Sequence, residues 1–377
     1  MPQSRPVVVL TVPFGAAHTR TAEAITHAWS TRARAAPLRV VGLGDYLPPR
    51  LVTTLVNGYL ALITKAPWAF RFAYARGKRP GVSDRGLAVA VTCAKLGGQR
   101  LARFLGETAG VWVSTHPLTS VLCRAAGMSD ALLSILVTDH HFHPFWCMPG
   151  TDRYFVGRPE MRKALIARGV SRSAVDLTGI PIDPRFGETA SREDAEHRLG
   201  LPAAPFRALL MGGGLGIGPI EEVVAGLRGV DAAIHTVVVA GSNRRLLSRL
   251  SSLDERIAVF GFTERIHDLM TASDICITKP GGLTLAETAS VGLPTLLVDP
   301  LPGHEEANQE VLVREGSAFR VSDAAHVADI VAELAKRPRL VRRMGRRIRR
   351  HGRPQAARDV ADILEGMWMA RFSVCEP

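Results

Sequence analysis

The fold is decided by a strand–loop–helix stretch, FRALLMGGGLGIGPIE, which occupies residues 206 to 221. The apolar run Phe206–Met211 predicts a buried strand, and the glycines of Gly212–Gly218 leave the backbone N–H groups of the loop accessible. Pro219 suits the first turn of a helix. A helix that begins there would offer N–H donors and the positive end of its dipole to a phosphate. The alternative is a tight turn without a ligand.

A second stretch of the same design, ITKPGGLTLAE, covers residues 277 to 287. It again leaves a strand and enters a helix, and it adds Lys279, Gly282 and the Thr284 hydroxyl as partners for anionic oxygens. Glu287 lies one turn into that helix, where a carboxylate either accepts two ribose hydroxyls or merely faces the helix dipole. Neither loop ends in Gly-Lys-Ser/Thr, which excludes a P-loop. Two such loops in one domain indicate a nucleotide diphosphate.

Short apolar runs alternate with amphipathic helical patterns through most of the chain, which predicts parallel sheets of the α/β class. The 377 residues are enough for two domains. We place the linker at residues 182–190, where Asp183-Pro184 opens a polar stretch. The prediction is two doubly wound, Rossmann-like domains facing each other across a cleft, at residues 1–186 and 187–353. A last helix in residues 354–377 is expected to return to the first domain.

The net charge of +12 is concentrated in one segment. Lys336–Arg353 contains ten Lys or Arg residues and no acid, so the rest of the chain is close to neutral. Leu340, Val341, Met344 and Ile348 recur at helical spacing within it. Contact with anionic lipid, a solvated helix face and nucleic acid are the three interpretations. No groove-reading or base-stacking motif accompanies the charge, so we expect no nucleic acid partner.

Nothing in the sequence predicts secretion or a membrane span. The five cysteines are dispersed and are typical of reduced thiols in a cytosolic protein. The apolar run near the N-terminus is too short for a signal peptide. The longest charge-free apolar candidate, Leu51–Thr64, is too short to cross a bilayer but long enough to lie on one. Hydrophobic residues make up 46% and charged residues 22% of the chain, as in soluble globular proteins.

Histidines follow two of the predicted strands. His18 closes the loop after the first strand, where ligands of α/β sheets bind, and its ordinary pKa of about 6.5 suits a general base. The alternative is a histidine that is hydrogen-bonded in a turn. Residues 139–143 place one aspartate among three histidines. Regular metal-ligand spacing is lacking, so we expect no metal and predict a substrate-orienting wall of Asp139, His143 and Trp146.

Two blocks of sequence resemble the diacylglycerol glycosyltransferases and the plant monogalactosyldiacylglycerol synthases, and more distantly the MurG-type N-acetylglucosaminyltransferases. The first block comprises Val137-Thr138-Asp139, His143-Pro144, Trp146, Pro149-Gly150, Asp152 and residues 178–186. The second comprises Phe260-Gly261-Phe262, Leu269-Met270, Asp274, residues 277–282, Ala286-Glu287, Gly292-Leu293-Pro294 and Pro302-Gly303. The resemblance implies the GT-B fold and an inverting transfer from a UDP-sugar to a lipid hydroxyl, without a catalytic metal or other cofactor.

The resemblance also implies roles for individual residues. His18 would be the base, and Asp139 would lie in the wall between the domains. Phe262 would read the uracil edge through its backbone, and Glu287 would bind the ribose. The remaining donor-binding residues would be Gly213, Gly214, Lys279, Gly282, Thr284, His304, Glu305 and Asn308.

The chain departs from the family pattern in two places. The first loop, Phe-Gly-Ala-Ala-His at residues 14–18, contains fewer glycines than in relatives. His304 stands where relatives have glutamine next to Glu305, in the pair that touches the donor sugar. A neutral imidazole offers its donor and acceptor in a different geometry from an amide. The sequence therefore leaves glucose, galactose and N-acetylglucosamine open.

An aromatic segment, Leu51–Tyr74, corresponds to the acceptor side of the family. It contains Trp68 and Phe72 beside Lys65 and Arg71, a composition that suits the boundary of lipid headgroups. The alternative is an ordinary pair of buried helices. With His143 and Trp146, these aromatics are the predicted acceptor and membrane residues.

The sequence thus predicts a UDP-sugar-dependent hexosyltransferase that acts on diacylglycerol or a related lipid. We expect it to be cytoplasmic and peripherally bound to the anionic inner face of the cell membrane. The alternatives are a MurG-like transferase or one with another acceptor, a nucleotide-sugar epimerase, and a non-catalytic binder of nucleotide or lipid.

Overall fold

A computed structural model describes most of the chain. It covers residues 5–13, 16–32, 36–46, 48–78, 104, 110–117, 119–120, 123, 131–188, 190–230, 233–251 and 254–372. The chain divides into two compact units. The first comprises residues 1–184 and 355–377, and the second comprises residues 185–354. These limits lie within two residues of the predicted boundaries, and Pro184 and Pro354 each end a segment.

The first unit contains a six-stranded parallel sheet. Its spatial order is β2-β1-β3-β4-β5-β6, so the chain starts near one edge and proceeds to the other. The inner strands β1, β3 and β4 are apolar and buried almost throughout because a parallel sheet is covered on both faces. The strands are β1 (Val7–Thr11), β2 (Leu38–Gly42), β3 (Val111–Ser114), β4 (Leu132–Leu136), β5 (Arg153–Val156) and β6 (Val175–Leu177).

Among the described residues, four helices and the C-terminal helix belong to the first unit. They are α1 (Ala16–Ser30), α2 (Pro49–Lys65), α3 (Pro67–Arg76), α4 (Pro159–Ile166) and the C-terminal helix Ala356–Phe372. The C-terminal helix buries Val360, Ala361 and Leu364 in one cluster with Ile25 and Ala28 of α1. The first unit is therefore assembled from two separate segments of the chain.

The second unit contains another six-stranded parallel sheet, in the order β12-β11-β10-β7-β8-β9. The chain runs outward from β7 through β8 to β9 and then returns to the other side of β7 with β10. This reversal between β7 and β10 is a topological switch point, where α/β sheets bind ligands at their carboxyl edge. The strands are β7 (Phe206–Met211), β8 (Ile234–Val239), β9 (Ile257–Phe260), β10 (Ile275–Thr278), β11 (Thr295–Leu297) and β12 (Phe319–Arg320).

Eight helices cover the second sheet among the described residues. They are α5 (Arg192–Leu199), α6 (Ile220–Arg228), α7 (Arg244–Leu250), α8 (Ile266–Thr271), α9 (Gly282–Val291), α10 (His304–Arg314), α11 (Val327–Ala335) and α12 (Pro338–Arg349). The aliphatic core lies between the sheet and α6, α7, α11 and α12. The predicted α/β class with two doubly wound parallel sheets is confirmed.

Candidate functional site

The first glycine loop follows β7 and lies against the next turn of the same sheet edge. A Cβ on Gly216 would stand 2.1 Å from the carbonyl oxygen of Ala240, so only glycine fits there. The Gly214 carbonyl accepts a hydrogen bond from the Ser242 N–H at 3.0 Å. Gly213 has φ +69°, and no atom lies within 4 Å of the place a Cβ would take. The contacts with Ala240 and Ser242 thus hold the loop on one side, and the loop is open to solvent at Gly213.

Helix α6 begins directly after this loop with no side-chain cap on its first turn. Glu221, one of two acids in that turn, forms an ion pair with Arg249 of α7 at 3.1 Å. The N-terminal N–H groups of a helix have no partner within the helix itself. The start of α6 can therefore receive an anion, as the sequence predicts.

The second glycine loop follows β10, the neighbour of β7. Helix α9 starts at Gly282, and Gly281 before it provides no side-chain cap. Lys279 in the loop is nine-tenths buried, and Glu287 lies on the first turns of α9 with its side chain largely buried. The two glycine loops therefore flank the switch point between β7 and β10.

Residues at the start of α10 extend the same edge. The Asn308 amide donates a hydrogen bond to the carbonyl of Pro280 at 3.3 Å and is fully buried. One oxygen of Glu305 accepts from the Leu301 N–H at 2.7 Å, and the other lies 3.7 Å from the place of a Cβ on Gly281. The structure thus brings Glu305 and Asn308 to the second glycine loop, with His304 as the first residue of α10.

Phe262 follows β9, the edge strand two places from β7. Its side chain is 60% exposed, which is uncommon for a phenylalanine beside a folded core. Such a ring next to an anion site is suited to packing against a planar base. The predicted donor residues therefore lie along one edge of the second sheet, after β9, β7, β10 and β11.

Asp299 belongs to the same edge and is not among the residues predicted from the sequence. It follows β11 and is the one non-glycine residue with positive φ, +43°, among the residues the structure describes. Its carboxylate lies 4.0 Å from the place of a Cβ on Gly218, at the end of the first glycine loop. A positive φ at this edge makes Asp299 a further candidate residue of the site, and the sequence Val-Asp-Pro carries no sign of it.

In the first unit, His18 lies in the first turn of α1, at the carboxyl end of β1. Its ring meets the ring of His116 edge to face, with 5.2 Å between the centroids. His116 in turn lies 6.4 Å from the ring of Trp146. The indole N–H of Trp146 donates to Asp139 at 3.2 Å. His18, Asp139 and Trp146, predicted separately, thus form one row that follows β1, β3 and β4.

His116 joins that row and was not predicted. It comes directly after β3, as His18 comes after β1, and the two strands are neighbours in the sheet. The signal in the sequence is the run Thr115-His116-Pro117 behind the apolar run Val111–Ser114. Because the carboxyl ends of adjacent parallel strands meet, that run would have placed a second histidine beside His18.

The side chain of His143 contacts α3 as well as the loop after β4. Its side chain is buried, its Nε2 faces the Tyr74 carbonyl at 3.0 Å, and its Nδ1 accepts from the Phe145 N–H at 3.2 Å. The ring also lies 4.2 Å from the ring of Tyr74. Burial lowers the pKa of His143, and the charge of Lys78 acts in the same direction. Both nitrogens serve backbone groups, so the geometry favours a residue that holds α3 to the sheet.

Trp68 and Phe72 lie on α3, with 73% and 65% of their surfaces exposed. All residues of α2 and α3 are described; Ile63 is the one buried residue of α2, and α3 has none. Leu51, Leu55 and Leu62 of α2 are exposed as well. The alternative of an ordinary buried helix pair is therefore wrong, and we call the exposed side of these helices the aromatic face.

Neither a membrane span nor a metal cluster occurs within the described part of the chain. None of its helices is both long enough and apolar enough to span a membrane. None of its clusters of His, Cys, Asp and Glu has an arrangement that could hold a metal ion, the histidine-rich segment 139–143 included.

Two family models match the chain, one on each unit. The model described as Monogalactosyldiacylglycerol (MGDG) synthase matches residues 18–182. The model described as Glycosyltransferase family 28 C-terminal domain matches residues 208–347. The first range contains the His18 row and the aromatic face, and the second contains both glycine loops.

The relatives in sequence are lipid glycosyltransferases by name. The processive diacylglycerol beta-glucosyltransferase of Bacillus subtilis (strain 168) is 30% identical over 263 residues, which are 68% of this chain and 68% of that protein. The enzyme of the same name from Bacillus cytotoxicus is 27% identical over 368 residues, which are 95% of this chain and 92% of that protein. Among solved structures, MurG of Acinetobacter baumannii has a TM-score of 0.56 at 16% identity, covering 96% of this chain and all of that one.

Proposed function

Since the chain belongs to the diacylglycerol glycosyltransferase family, we propose that it transfers a hexose from a UDP-sugar to the hydroxyl of diacylglycerol, with inversion at the anomeric carbon. The observation that carries the proposal is the pair of glycine loops at the switch point of the second sheet, each followed by an uncapped helix start. Two adjacent anion sites match the two phosphates of a nucleoside diphosphate.

The donor is held along the carboxyl edge of the second sheet. The helix starts of α6 and α9 take the diphosphate, and Lys279 adds a positive charge beside the second loop. The buried carboxylate of Glu287 accepts the ribose hydroxyls. The backbone of Phe262 reads the uracil edge, and its exposed ring lies against the base. When the bond between the anomeric carbon and the phosphate breaks, the leaving UDP gains charge, which the same N–H groups and Lys279 stabilise.

The acceptor hydroxyl loses its proton in the same step. As the hydroxyl oxygen bonds to the anomeric carbon, the proton passes to a ring nitrogen of neutral His18. The base must be neutral at the start, which suits a histidine at ordinary cellular pH. The neighbouring His116 orients the ring of His18 through their edge-to-face contact.

The donor sugar that we propose is glucose, the sugar named for both Bacillus relatives. Glu305 lies beside the second glycine loop and His304 precedes it at the start of α10, which supports assigning both to contact with the sugar hydroxyls. Because His304 replaces the amide of relatives, a His304→Gln variant is expected to alter the relative rates with UDP-glucose and UDP-galactose.

We further propose that the enzyme works at the surface of an anionic membrane, on the cytoplasmic side. The aromatic face supplies exposed apolar side chains, and Lys65, Arg71, Arg76 and Lys78 lie on or next to the same helices. Aromatic rings beside cations are typical of protein segments that lie in the headgroup region of a bilayer. A water-insoluble diacylglycerol would reach the enzyme there.

Release of UDP tests the proposed reaction. The purified protein is incubated with UDP-glucose, UDP-galactose or UDP-N-acetylglucosamine, with and without vesicles that contain diacylglycerol. We expect UDP release that depends on diacylglycerol and is fastest with UDP-glucose. Tight UDP binding with no release from any donor would contradict the proposed transferase. UDP release in the absence of diacylglycerol would indicate hydrolysis of the donor or transfer to another acceptor.

A His18→Ala variant tests the base. We expect kcat to fall by a factor of about 10² to 10⁴, the usual contribution of a general base, with UDP binding unchanged. The control is His27→Ala, which removes an exposed histidine from the same helix. Full activity of His18→Ala, or an equal loss in His27→Ala, would remove His18 from this role.

A further inference from the structure

A cavity of about 840 Å³ lies in the second unit, at the edge opposite the glycine loops. Its wall includes Ser273 and Asp274, which precede β10, and Gly292–Pro294, which precede β11. In a parallel sheet the residues before the strands share one edge and those after the strands share the other. The cavity is therefore separate from the donor residues of the proposed function.

Helix α12 forms one side of this cavity. It packs very closely on the C-terminal end of α9. A Cβ on Gly345 would stand 2.6 Å from the Gly292 carbonyl oxygen, so a larger residue would push the helix away. Val341, Met344 and Ile348 anchor the buried face of α12. This anchoring fixes which face of the basic helix borders the cavity.

Three arginines of α12 line the cavity: Arg342, Arg346 and Arg349. They are four and three residues apart and so share one face of the helix. Arg349 also donates a hydrogen bond to the Val291 carbonyl at 2.9 Å, at the C-terminal end of α9. Arg342 and Arg346 are exposed, and neither forms an ion pair within the part of the chain that the structure describes.

The acids at the cavity do not neutralise these arginines. Asp274 is occupied by Arg192 at 3.0 Å and by the Arg207 N–H at 2.7 Å. Glu188 is the other acid of the lining and is exposed. The lining also has apolar residues, among them Met270, Leu293, Pro294 and Val341. The cavity thus combines unpaired guanidinium groups with an apolar wall.

From this geometry we propose that the cavity binds a phosphate ester, whose phosphate is held by Arg342 and Arg346 and whose carbon skeleton lies on the apolar wall. Guanidinium groups bind the oxygens of phosphate, as of carboxylate, in a bidentate manner, which a point charge such as an ammonium group does not. The phosphate is either the headgroup of an anionic phospholipid or part of a free metabolite. Either source supplies the same chemistry to the arginines.

The test compares two charge-matched variants of α12. Arg342→Gln/Arg346→Gln removes two charges at the cavity, and Arg343→Gln/Arg350→Gln removes two charges, one in α12 and one directly after it, that do not line the cavity. UDP is present at saturation so that the donor loops are occupied. Inorganic phosphate and glycerol 3-phosphate are titrated by calorimetry. Flotation with phosphatidylcholine vesicles, with and without phosphatidylglycerol, measures the lipid arm.

We expect at least a tenfold loss of binding in the cavity variant and less than a twofold loss in its control. A loss confined to the soluble probes identifies a free phosphate ester, and a loss confined to phosphatidylglycerol vesicles identifies a lipid headgroup. Equal losses in both variants, or no binding of any probe to the parent protein, would overturn the proposal. UDP affinity is measured in all variants, so a failure of the donor site is recognised separately.

Discussion

His143 holds two pieces of backbone together, and its chemistry makes the first unit sensitive to acid. Nδ1 must be unprotonated to accept from Phe145, and burial together with Lys78 lowers the pKa of the ring. Tyr74 and Asp139 also face the ring, and both act to raise its pKa. The effects that lower the pKa outweigh those that raise it. As the pH falls, the folded protein therefore keeps His143 neutral at pH values at which an unfolded chain already takes up a proton.

A His143→Gln variant tests this point, because glutamine retains a donor and an acceptor but does not titrate. The stabilisation from a lowered histidine pKa is complete above about pH 6.5 and is lost as pH falls below it. We expect the parent to lose more unfolding free energy than His143→Gln between pH 7.5 and 5.5, because only the parent carries a side chain that protonates more readily in the unfolded chain.

The measurement is urea unfolding followed by tryptophan fluorescence at the two pH values. His27→Gln, an exposed change on α1, is the control and should behave as the parent does. A parent and a His143→Gln variant with the same pH dependence would show that folding does not lower the pKa of His143.

At single positions, the sequence predicts the features that arise from local context and misses those that depend on neighbouring strands. Gly213, Thr284 and Glu287 are predicted as donor residues from local sequence alone, because each belongs to a strand–glycine loop–helix pattern. His116 and Asp299 were missed, since the contact of His116 with His18 and the positive φ of Asp299 arise only when the strands are assembled. The structural position of His143 required Tyr74, which is distant in sequence.

At the scale of elements, the aromatic face leads to a prediction about vesicle binding. A Trp68→Ser/Phe72→Ser variant removes two exposed aromatic side chains from α3. Burying each side chain fully in an apolar phase contributes about 1.5 to 3 kcal/mol. We therefore expect binding to anionic vesicles that contain diacylglycerol to weaken at least tenfold, as measured by flotation, while UDP affinity stays the same.

The control for the aromatic face is Phe319→Ser, which removes an exposed aromatic ring from β12 in the second unit. Its vesicle binding should equal that of the parent. If the α3 variant floats as well as the parent does, the aromatic face does not contact the membrane.

The elements themselves were largely predictable because buried parallel strands are short apolar runs between polar turns. The helix of the basic segment was also predictable, since Val341, Met344 and Ile348 recur at the spacing of a buried stripe and are buried in the structure. The structure of the segment Leu51–Tyr74 was harder to predict. It breaks into α2 and α3 at Ala66, before Pro67, and only the structure shows that neither helix is covered.

At the scale of the molecule, the C-terminal helix is expected to stabilise the first unit alone. Leu364 is fully buried against α1, so Leu364→Ala should lower the unfolding free energy of that unit by about 2 to 5 kcal/mol. All five tryptophans lie in the first unit, at positions 29, 68, 112, 146 and 368. Tryptophan fluorescence therefore reports on this unit and UDP binding on the other.

The control is Met369→Ala, an exposed position of the same helix, which should change the unfolding free energy by less than about 0.5 kcal/mol. UDP affinity should be the same in both variants. An unchanged fluorescence transition in Leu364→Ala would contradict the assignment of this helix to the core of the first unit.

The chain leaves the first unit at Pro184 and re-enters it at Gln355. The ribosome therefore completes the second unit before it completes the first. Residues 185–354 have all emerged before the helix that covers α1 exists. The second unit can then finish folding first, while the face of α1 with Ile25 and Ala28 stays uncovered until the C-terminal helix Ala356–Phe372 has emerged. The unit that carries the aromatic face thus matures last, when the unit with the two glycine loops is already complete.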